Sequence, residues 1–284
     1  MLLAVLPFAG ADVVLRTHWW AAQAAPVAVS AVGLSLLLGL VVLKLRAATP
    51  GGAFAGAAIT ASLMFSTETV PYRPWQTALI PVLAVSLLAH FATWLGREEK
   101  ERLGTAERRQ GRTASQVAAN LGVAAIASNA LAQSWLAGVP WLARATSAPM
   151  PLFAVGLAAL AEAAADTVSS EVGQVIGGRP RMITTLRQVE PGTDGAISLA
   201  GTLAGAAAGA IVALAGTLAL RGDLATFWIA CAGGVFGLFF DSLLGATLER
   251  RGWLNNDAVN FLSTASAAAF ALCMLALLPH LKLG

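Results

Sequence analysis

The chain has 284 residues, 57% of them hydrophobic and only 12% charged, with a mean hydropathy of +0.72, whereas a soluble domain is about 25% charged. This excludes an ordinary soluble fold and points to a single all-α integral membrane domain spanning residues 1–284, a polytopic transmembrane helical bundle. The net charge of +3 and pI near 9.3 do not indicate nucleic acid, because the basic residues sit in short loops between apolar segments, where they set orientation.

A helix that crosses a hydrocarbon core needs about 20 mostly apolar residues. Residues 1–15 form a marginal first helix, since they lack the basic start of a cleavable signal and contain Asp12. Further spans are predicted at 24–43, 51–67, 74–95, 113–137, 149–169, 196–220, 224–248 and 257–281. That makes about nine, with eight to ten within boundary error, and segment 51–67 is short enough to be re-entrant or tilted.

Placing the loop at 96–112 inside brings Lys44, Arg46, Arg97, Lys100, Arg102, Arg108, Arg109, Arg112, Arg179, Arg181, Arg187, Arg250 and Arg251 to one side. Arg16, Arg73, Arg144, Arg221 and Lys282 fall opposite, so thirteen of the 18 basic residues share a face. The positive-inside rule then puts the N-terminus in the cytoplasm, with loops 96–112 and 170–195 contributing to a cytoplasmic site, as in a bacterial-type inner membrane. The tryptophans, among them Trp94, Trp141 and Trp253, fall near predicted helix ends and read as interfacial anchors. Cys231 and Cys273 lie in apolar segments without a CxxC, and His18, His90 and His280 are scattered. Neither set suggests a zinc site, a disulfide framework or a hydrolytic triad.

Three acids stand inside or at the inner edge of apolar segments, where a charge costs on the order of 3 kcal/mol: Glu162, Asp166 and Asp241. Glu162 and Asp166 are four apart and share a helix face, which Ser169 and Ser170 extend. In the predicted topology Asp166 and Asp241 arrive at similar depth. Two carboxylates at one level beside hydroxyls suit Mg²⁺ carrying phosphate groups; pairing with a buried arginine, or protonation for helix packing, is the competing structural reading.

The loop from Gly173 to Thr202 combines Gly177, Gly178, Gly192 and Gly195 with Arg179, Arg181 and Arg187, and its "PGTDG" opens the next helix. Glycines and a helix N-terminus suit an anion, although no Walker motif is present and such a turn is as often a plain connection. Upstream, "RRQGRTASQVAAN" brings Arg109, Arg112, Gln116 and Asn120 to a helix mouth, with Gln116 and Asn120 on one face. The last helix opens on Asn255, Asn256, Asp257, Asn260, Ser263 and Thr264; N-capping and interhelical hydrogen bonding explain part of that stripe.

Five ordered motifs, "QVAAN" from Gln116, "ADTVSSEVG" from Ala165, "RMITTLRQVEPGTDGAISLAGT" from Arg181, "DSLLGATLE" from Asp241 and "WLNNDAVNFLSTA" from Trp253, resemble the family of plant phytyl-phosphate kinase and transmembrane protein 19. The similarity covers roughly residues 40–281. Where the family favours "PPGT", "GG" and "QVLANGG", this chain has Glu190 before Pro191, Asp194 before Gly195, and "QVAANLG". The resemblance implies a kinase that uses a nucleoside triphosphate of the CTP type to convert a prenyl monophosphate, such as phytyl or geranylgeranyl phosphate, to the diphosphate.

On that reading the expected Mg²⁺ ligands are Glu162, Asp166, Asp241 and Glu171, with Asp166, Asp241 and Arg181 central to transfer. Arg109, Arg112, Arg181 and Arg187 would clamp phosphates. Gln116, Asn120, Thr184, Thr185, Gly192, Thr193 and Ser198 would hydrogen-bond them, and Asn256, Asp257 and Asn260 would complete the pocket. The partners are then the lipid bilayer, a prenyl phosphate and a nucleoside triphosphate. A transporter or scramblase that uses the acids for cation or proton coupling, and a non-catalytic lipid-binding subunit, are the alternatives.

Overall fold

The computed structural model describes residues 1–69, 71–107, 109–139, 152–176 and 178–281. Arg108, Trp141, Arg144, Gly177 and Lys282, used above, lie outside the described residues, as does the side chain of His280. The described chain is helical apart from one short hairpin. Its helices are α1 (Leu2–Gln23), α2 (Ala25–Lys44), α3 (Pro50–Ser66), α4 (Leu79–Trp94), α5 (Arg97–Leu103), α6 (Ala114–Ser128), α7 (Ala130–Ala137), α8 (Leu152–Ile176), α9 (Leu199–Ala219), α10 (Leu224–Leu244) and α11 (Asn256–Leu281). The strands β1 (Arg181–Met182) and β2 (Ala196–Ile197) pair antiparallel between α8 and α9.

By length and composition α2, α8, α9, α10 and α11 can each cross a membrane, and the α4–α5 pair, bent by 67°, would make a sixth span. The nine spans expected from the sequence are therefore supported for five or six. Helices α3 and α6 have only 17 and 15 residues, and α1 carries Asp12 and Arg16 within its length. The predicted helix 113–137 is in fact two. Asn129 adopts an extended backbone, and its side chain accepts from Leu131 N, which ends α6 and starts α7.

Helix α8 is the axis of the bundle, packed against α4, α6, α9, α10 and α11. Small residues allow that crowding. On α9, side chains at Gly201, Gly205 and Gly209 would press on the backbone of α8 at Ser169, Ala165 and Ala161, while Gly234 and Gly237 bring α10 onto α8 at Ala161 and Glu162. The resulting core joins Val155, Leu157 and Leu160 of α8 to Val5, Ile59, Val82, Val212 and Ile229.

A separate polar hub ties α1 to its neighbours. Asp12 accepts from Ser62 Oγ at 2.6 Å and Asn129 Nδ2 at 2.9 Å, and pairs with Arg16 at 3.2 Å. Arg16 reaches Glu68 at 3.5 Å. In the sequence Asp12 argues only against a signal peptide, because its partners lie on helices distant along the chain.

Candidate functional site

Asp166 of α8 and Asp241 of α10 are brought into direct contact, their carboxyl groups within hydrogen-bonding range of each other. Asp241 Oδ1 is buried and has no hydrogen-bond partner. Two ionised carboxylates at such range repel strongly in a low-dielectric interior unless a cation lies between them. They face a polar cavity of about 300 Å³ that is also lined by Arg112, Gln116, Asn120, Gly192, Thr193, Ser198, Asn256 and Asn260. Loops and helices that are far apart in the chain thus converge as the motifs suggested.

Local chemistry explains each placement. Arg112 sits just before α6 in a segment fastened to the α2–α3 turn: Thr49 N donates to Arg112 O at 3.0 Å and Arg112 N donates to Ala47 O at 3.0 Å. Its guanidinium turns inward and donates to Thr167 Oγ1 at 3.4 Å. Thr113 and Gln116 form a capping box, with Thr113 N donating to Gln116 Oε1 at 2.7 Å, and Gln116 Nε2 donates to Glu107 at 3.3 Å. Asn120, nearly buried, donates to Gln116 O at 2.8 Å. Ser198 caps α9 by accepting from Gly201 N.

The "PGTDG" loop roofs the cavity by close backbone approach. A side chain at Gly192 (φ +82°) would strike Thr105, and one at Gly195 (φ +75°) would strike Ala246. Ala246 belongs to a single π-helical turn, Gly245–Glu249, that continues α10. Such turns widen a helix locally and recur at functional sites.

Several expected residues lie elsewhere. Thr184, Thr185 and Arg187, in the loop joining β1 to β2, and Arg181 of β1 are exposed and absent from the cavity wall; Arg181 donates to Leu186 O at 2.8 Å, closing the hairpin on itself. Arg109 lines a different cavity and is held at its rim by Glu101 at 3.3 Å. Asp257 is likewise outside the polar wall. Glu171 borders the cavity, but one oxygen accepts from Lys100 Nζ at 2.6 Å and the other from Thr93 Oγ1 at 3.1 Å. Its carboxylate is spent on a buried ion pair. Glu162 is fully buried behind Asp166, within reach of Ser263, and its Oε1 has no partner.

Among the described residues, no group of three or more His, Cys, Asp or Glu side chains could hold a metal ion. That does not conflict with Mg²⁺, which is usually held by one or two carboxylates together with substrate phosphates and water. The Asp166–Asp241 pair and the orphaned Asp241 Oδ1 fit such an ion.

Sequence reasoning missed Thr105, Glu107, Gln174, Ser242 and Glu249, which also line the polar cavity. Gln174 lies two turns beyond Asp166 and Glu249 two turns beyond Asp241, so helical spacing could have found both. Thr105 and Glu107 lie in the α5–α6 linker, where no periodicity reveals which way a side chain faces.

The second cavity, about 800 Å³, is mostly apolar and lies between α2, α3, α4 and α6. Arg46, Arg97, Arg109 and Arg112 line its polar end. Glu107, Arg112 and Asn120 line both cavities, so those three side chains stand between the apolar and polar spaces.

The sequence profile of an integral membrane protein family, DUF92, matches residues 33–268. An uncharacterized membrane protein of Methanocaldococcus jannaschii is 46% identical over 108 residues, 38% of this chain and 45% of the relative. Another from Synechocystis is 33% identical over 70% of this chain and 73% of its own length. The chloroplastic protein VTE6 of Arabidopsis thaliana is 27% identical over 74% of this chain and 62% of the relative. The chain therefore spans under half of the archaeal relative's length and somewhat under two thirds of the plant relative's. No solved structure matches it significantly. The profile match over most of the chain, with the motif resemblance and the helical membrane architecture, establishes that this chain belongs to the DUF92 family of integral membrane proteins.

Proposed function

We propose that this protein is a membrane-embedded kinase that transfers a phosphoryl group from a nucleoside triphosphate, CTP by family resemblance, to a prenyl monophosphate. The observation that carries the reading is the shared wall of the two cavities. An apolar space of about 800 Å³ and a polar one of about 300 Å³ lie side by side and share Arg112, Asn120 and Glu107 in their walls. An amphiphile with one phosphate fits this arrangement, with its tail among α2, α3, α4 and α6 and its head against Arg112.

In the reaction an oxygen of the prenyl phosphate attacks the terminal phosphorus of the nucleotide. The bond from that phosphorus to the bridging oxygen breaks, and the nucleoside diphosphate departs. The attacking oxygen is already ionised, so no general base is needed, which agrees with the scattered histidines. Asp166 and Asp241 would hold Mg²⁺, which when bound neutralises charge on the transferring group. Arg112 orients the acceptor phosphate. Thr193, the Gly192 backbone, Asn256 and Asn260, which line the same cavity, would offer hydrogen bonds to the nucleotide.

The transport alternative demands a polar path through the molecule. Neither cavity is lined by Asp12, Arg16, Ser62, Glu68 or Asn129, the polar residues that form the separate hub on α1, α3 and the α6–α7 junction. Incubating purified protein with geranylgeranyl phosphate, Mg²⁺ and each nucleoside triphosphate, with mass spectrometry of the lipid, tests the proposal. Prenyl diphosphate made by the native protein but not by Asp241→Asn supports it; no diphosphate from folded protein with any nucleotide overturns it.

A further inference from the structure

We infer that Gly56 of α3 is the gauge by which the apolar cavity selects the length of the lipid chain; this rests on the prenyl-phosphate reading and extends it to substrate selection. By their positions along α2, α3, α4 and α6, the lining residues run from the arginines at one end, the mouth, to Leu38, Thr60, Val82 and Leu121 at the other, the floor. Along α4, twelve residues separate Trp94 near the mouth from Val82 at the floor, about 18 Å at 1.5 Å per residue. That exceeds the roughly 15 Å of a single leaflet's hydrocarbon. The Thr60 hydroxyl donates to Gly56 O at 2.7 Å, so its proton is satisfied within α3.

Five glycines line this cavity: Gly39, Gly52, Gly56, Gly96 and Gly111. Four have a reason in the fold itself. Gly96 (φ +59°) and Gly111 (φ +78°) occupy the left-handed region, a side chain at Gly52 would strike the Arg112 carbonyl, and one at Gly39 would lie 3.1 Å from the Ala53 carbonyl oxygen. Gly56 has none of these constraints. A Cβ there would meet only Val117 Cγ1, at an ordinary 3.7 Å. Glycine inside a helix is less favourable than alanine, so packing does not account for its presence. What its missing side chain does leave open is the cavity, about midway between mouth and floor: four residues along α3 from Gly52 and four from Thr60.

The mouth supplies the complementary charge for a lipid with an anionic head. Among the described residues neither Arg46 nor Arg112 has a carboxylate within ion-pair distance, whereas Arg97 and Arg109 are both held by Glu101. An anionic head is thus fixed at one end while the wall at position 56 decides how far the tail can run beyond it. A leucine at this position would fill the middle of the channel without touching the phosphate end.

The test is equilibrium binding of geranyl, farnesyl and geranylgeranyl phosphates, read by native mass spectrometry of the full-length protein in detergent, for the native chain, Gly56→Ala and Gly56→Leu. Affinity in the native protein is expected to rise with chain length. Gly56→Leu is expected to bind geranylgeranyl phosphate at least tenfold more weakly and geranyl phosphate within twofold of native, with Gly56→Ala between. Melting of the two variants at or above the native temperature separates this effect from damage to the fold. Equal loss for all three lipids, no loss for any, or failure of the native protein to bind a prenyl phosphate overturns the gauge. The outcome is independent of catalysis. A length shift without phosphoryl transfer retains the gauge and removes the kinase, while transfer by Gly56→Leu with unchanged length preference retains the kinase and removes the gauge.

Discussion

Lys100 is completely buried, an unusual position for a lysine in a seven-residue helix rich in charge. Its ammonium donates to Ala92 O at 2.9 Å, Thr93 O at 3.0 Å and Glu171 Oε2 at 2.6 Å, so all three protons are used. Lys100→Met removes them together, leaving two carbonyls and a carboxylate whose side chain is only 13% exposed. Breaking a buried ion pair on one side costs about 3–5 kcal/mol. Glu171→Gln strands the ammonium instead and should cost a similar amount. The double variant Lys100→Met/Glu171→Gln leaves no unpaired charge and should cost less than either single variant, so the coupling should be at least as large as one single loss, about 3–5 kcal/mol. Reversible unfolding in mixed detergent micelles reads these differences, and prenyl-phosphate turnover measured on the same four proteins separates structure from chemistry. If Glu171 is structural, Lys100→Met restores activity lost in Glu171→Gln. If Glu171→Gln abolishes turnover at unchanged stability and Lys100→Met does not rescue it, Glu171 belongs to the metal site and the ion-pair assignment is wrong.

Asp166→Asn and Asp241→Asn should each lower turnover by about 10³-fold or more while melting at or above the native temperature, because each removes one of two touching carboxylates; lower melting in both would show that the pair stabilises the fold. Arg112→Ala should weaken prenyl-phosphate binding about 10- to 100-fold, whereas Arg181→Ala and Arg187→Ala, on the exposed hairpin, should change it less than about threefold; the reverse ranking in a binding titration would return the phosphate clamp to the hairpin. Gly195→Ala should reduce nucleotide affinity by separating the roof loop from Ala246, while Gly178→Ala, which has nothing within 4 Å, should leave it intact; equal effects would argue for backbone strain alone. Burial raises the Glu68 carboxyl above its usual range despite the nearby Arg16, so the fold favours the protonated acid. That stabilisation is complete below the unfolded value near ~4.3 and is lost as pH rises through the folded value. Glu68→Gln should flatten this fall in thermal midpoint, and an unchanged slope would assign it to another group.

Much of the site was legible because helical spacing and intramembrane acids are local signals. Glu162, Asp166 and Asp241 were visible as charges in apolar runs, and the two aspartates do meet. Gln116, Asn120, Asn256 and Asn260 shared faces that the fold turns toward the same cavity. What could not be read was the direction of loop side chains. Arg181 and Arg187 have the composition of a phosphate clamp, yet the β1–β2 pairing carries them onto the outside of a hairpin. Glu171 is a further expected metal ligand, but its partner Lys100 lies 71 residues away and reads in the sequence only as a topology signal. The apolar cavity was equally invisible, since it is made of absences: Gly56 and small residues on α2 and α3 that carry no chemistry of their own. Span count suffered for a related reason, because α3 and α6 are short and α1 is interrupted by Asp12, whose hydrogen-bond partners only the folded bundle supplies.

The most direct test of the phosphoryl-transfer reading follows the transferred group itself. Nucleoside triphosphate carrying ¹⁸O in its terminal phosphoryl group is given to the purified protein with geranylgeranyl phosphate and Mg²⁺, and the lipid product is weighed. Kinase chemistry places the heavy phosphoryl group on the distal position of a prenyl diphosphate, in native protein and not in Asp166→Asn. Label recovered only in free phosphate, or retained entirely in the nucleotide by folded protein, would contradict it.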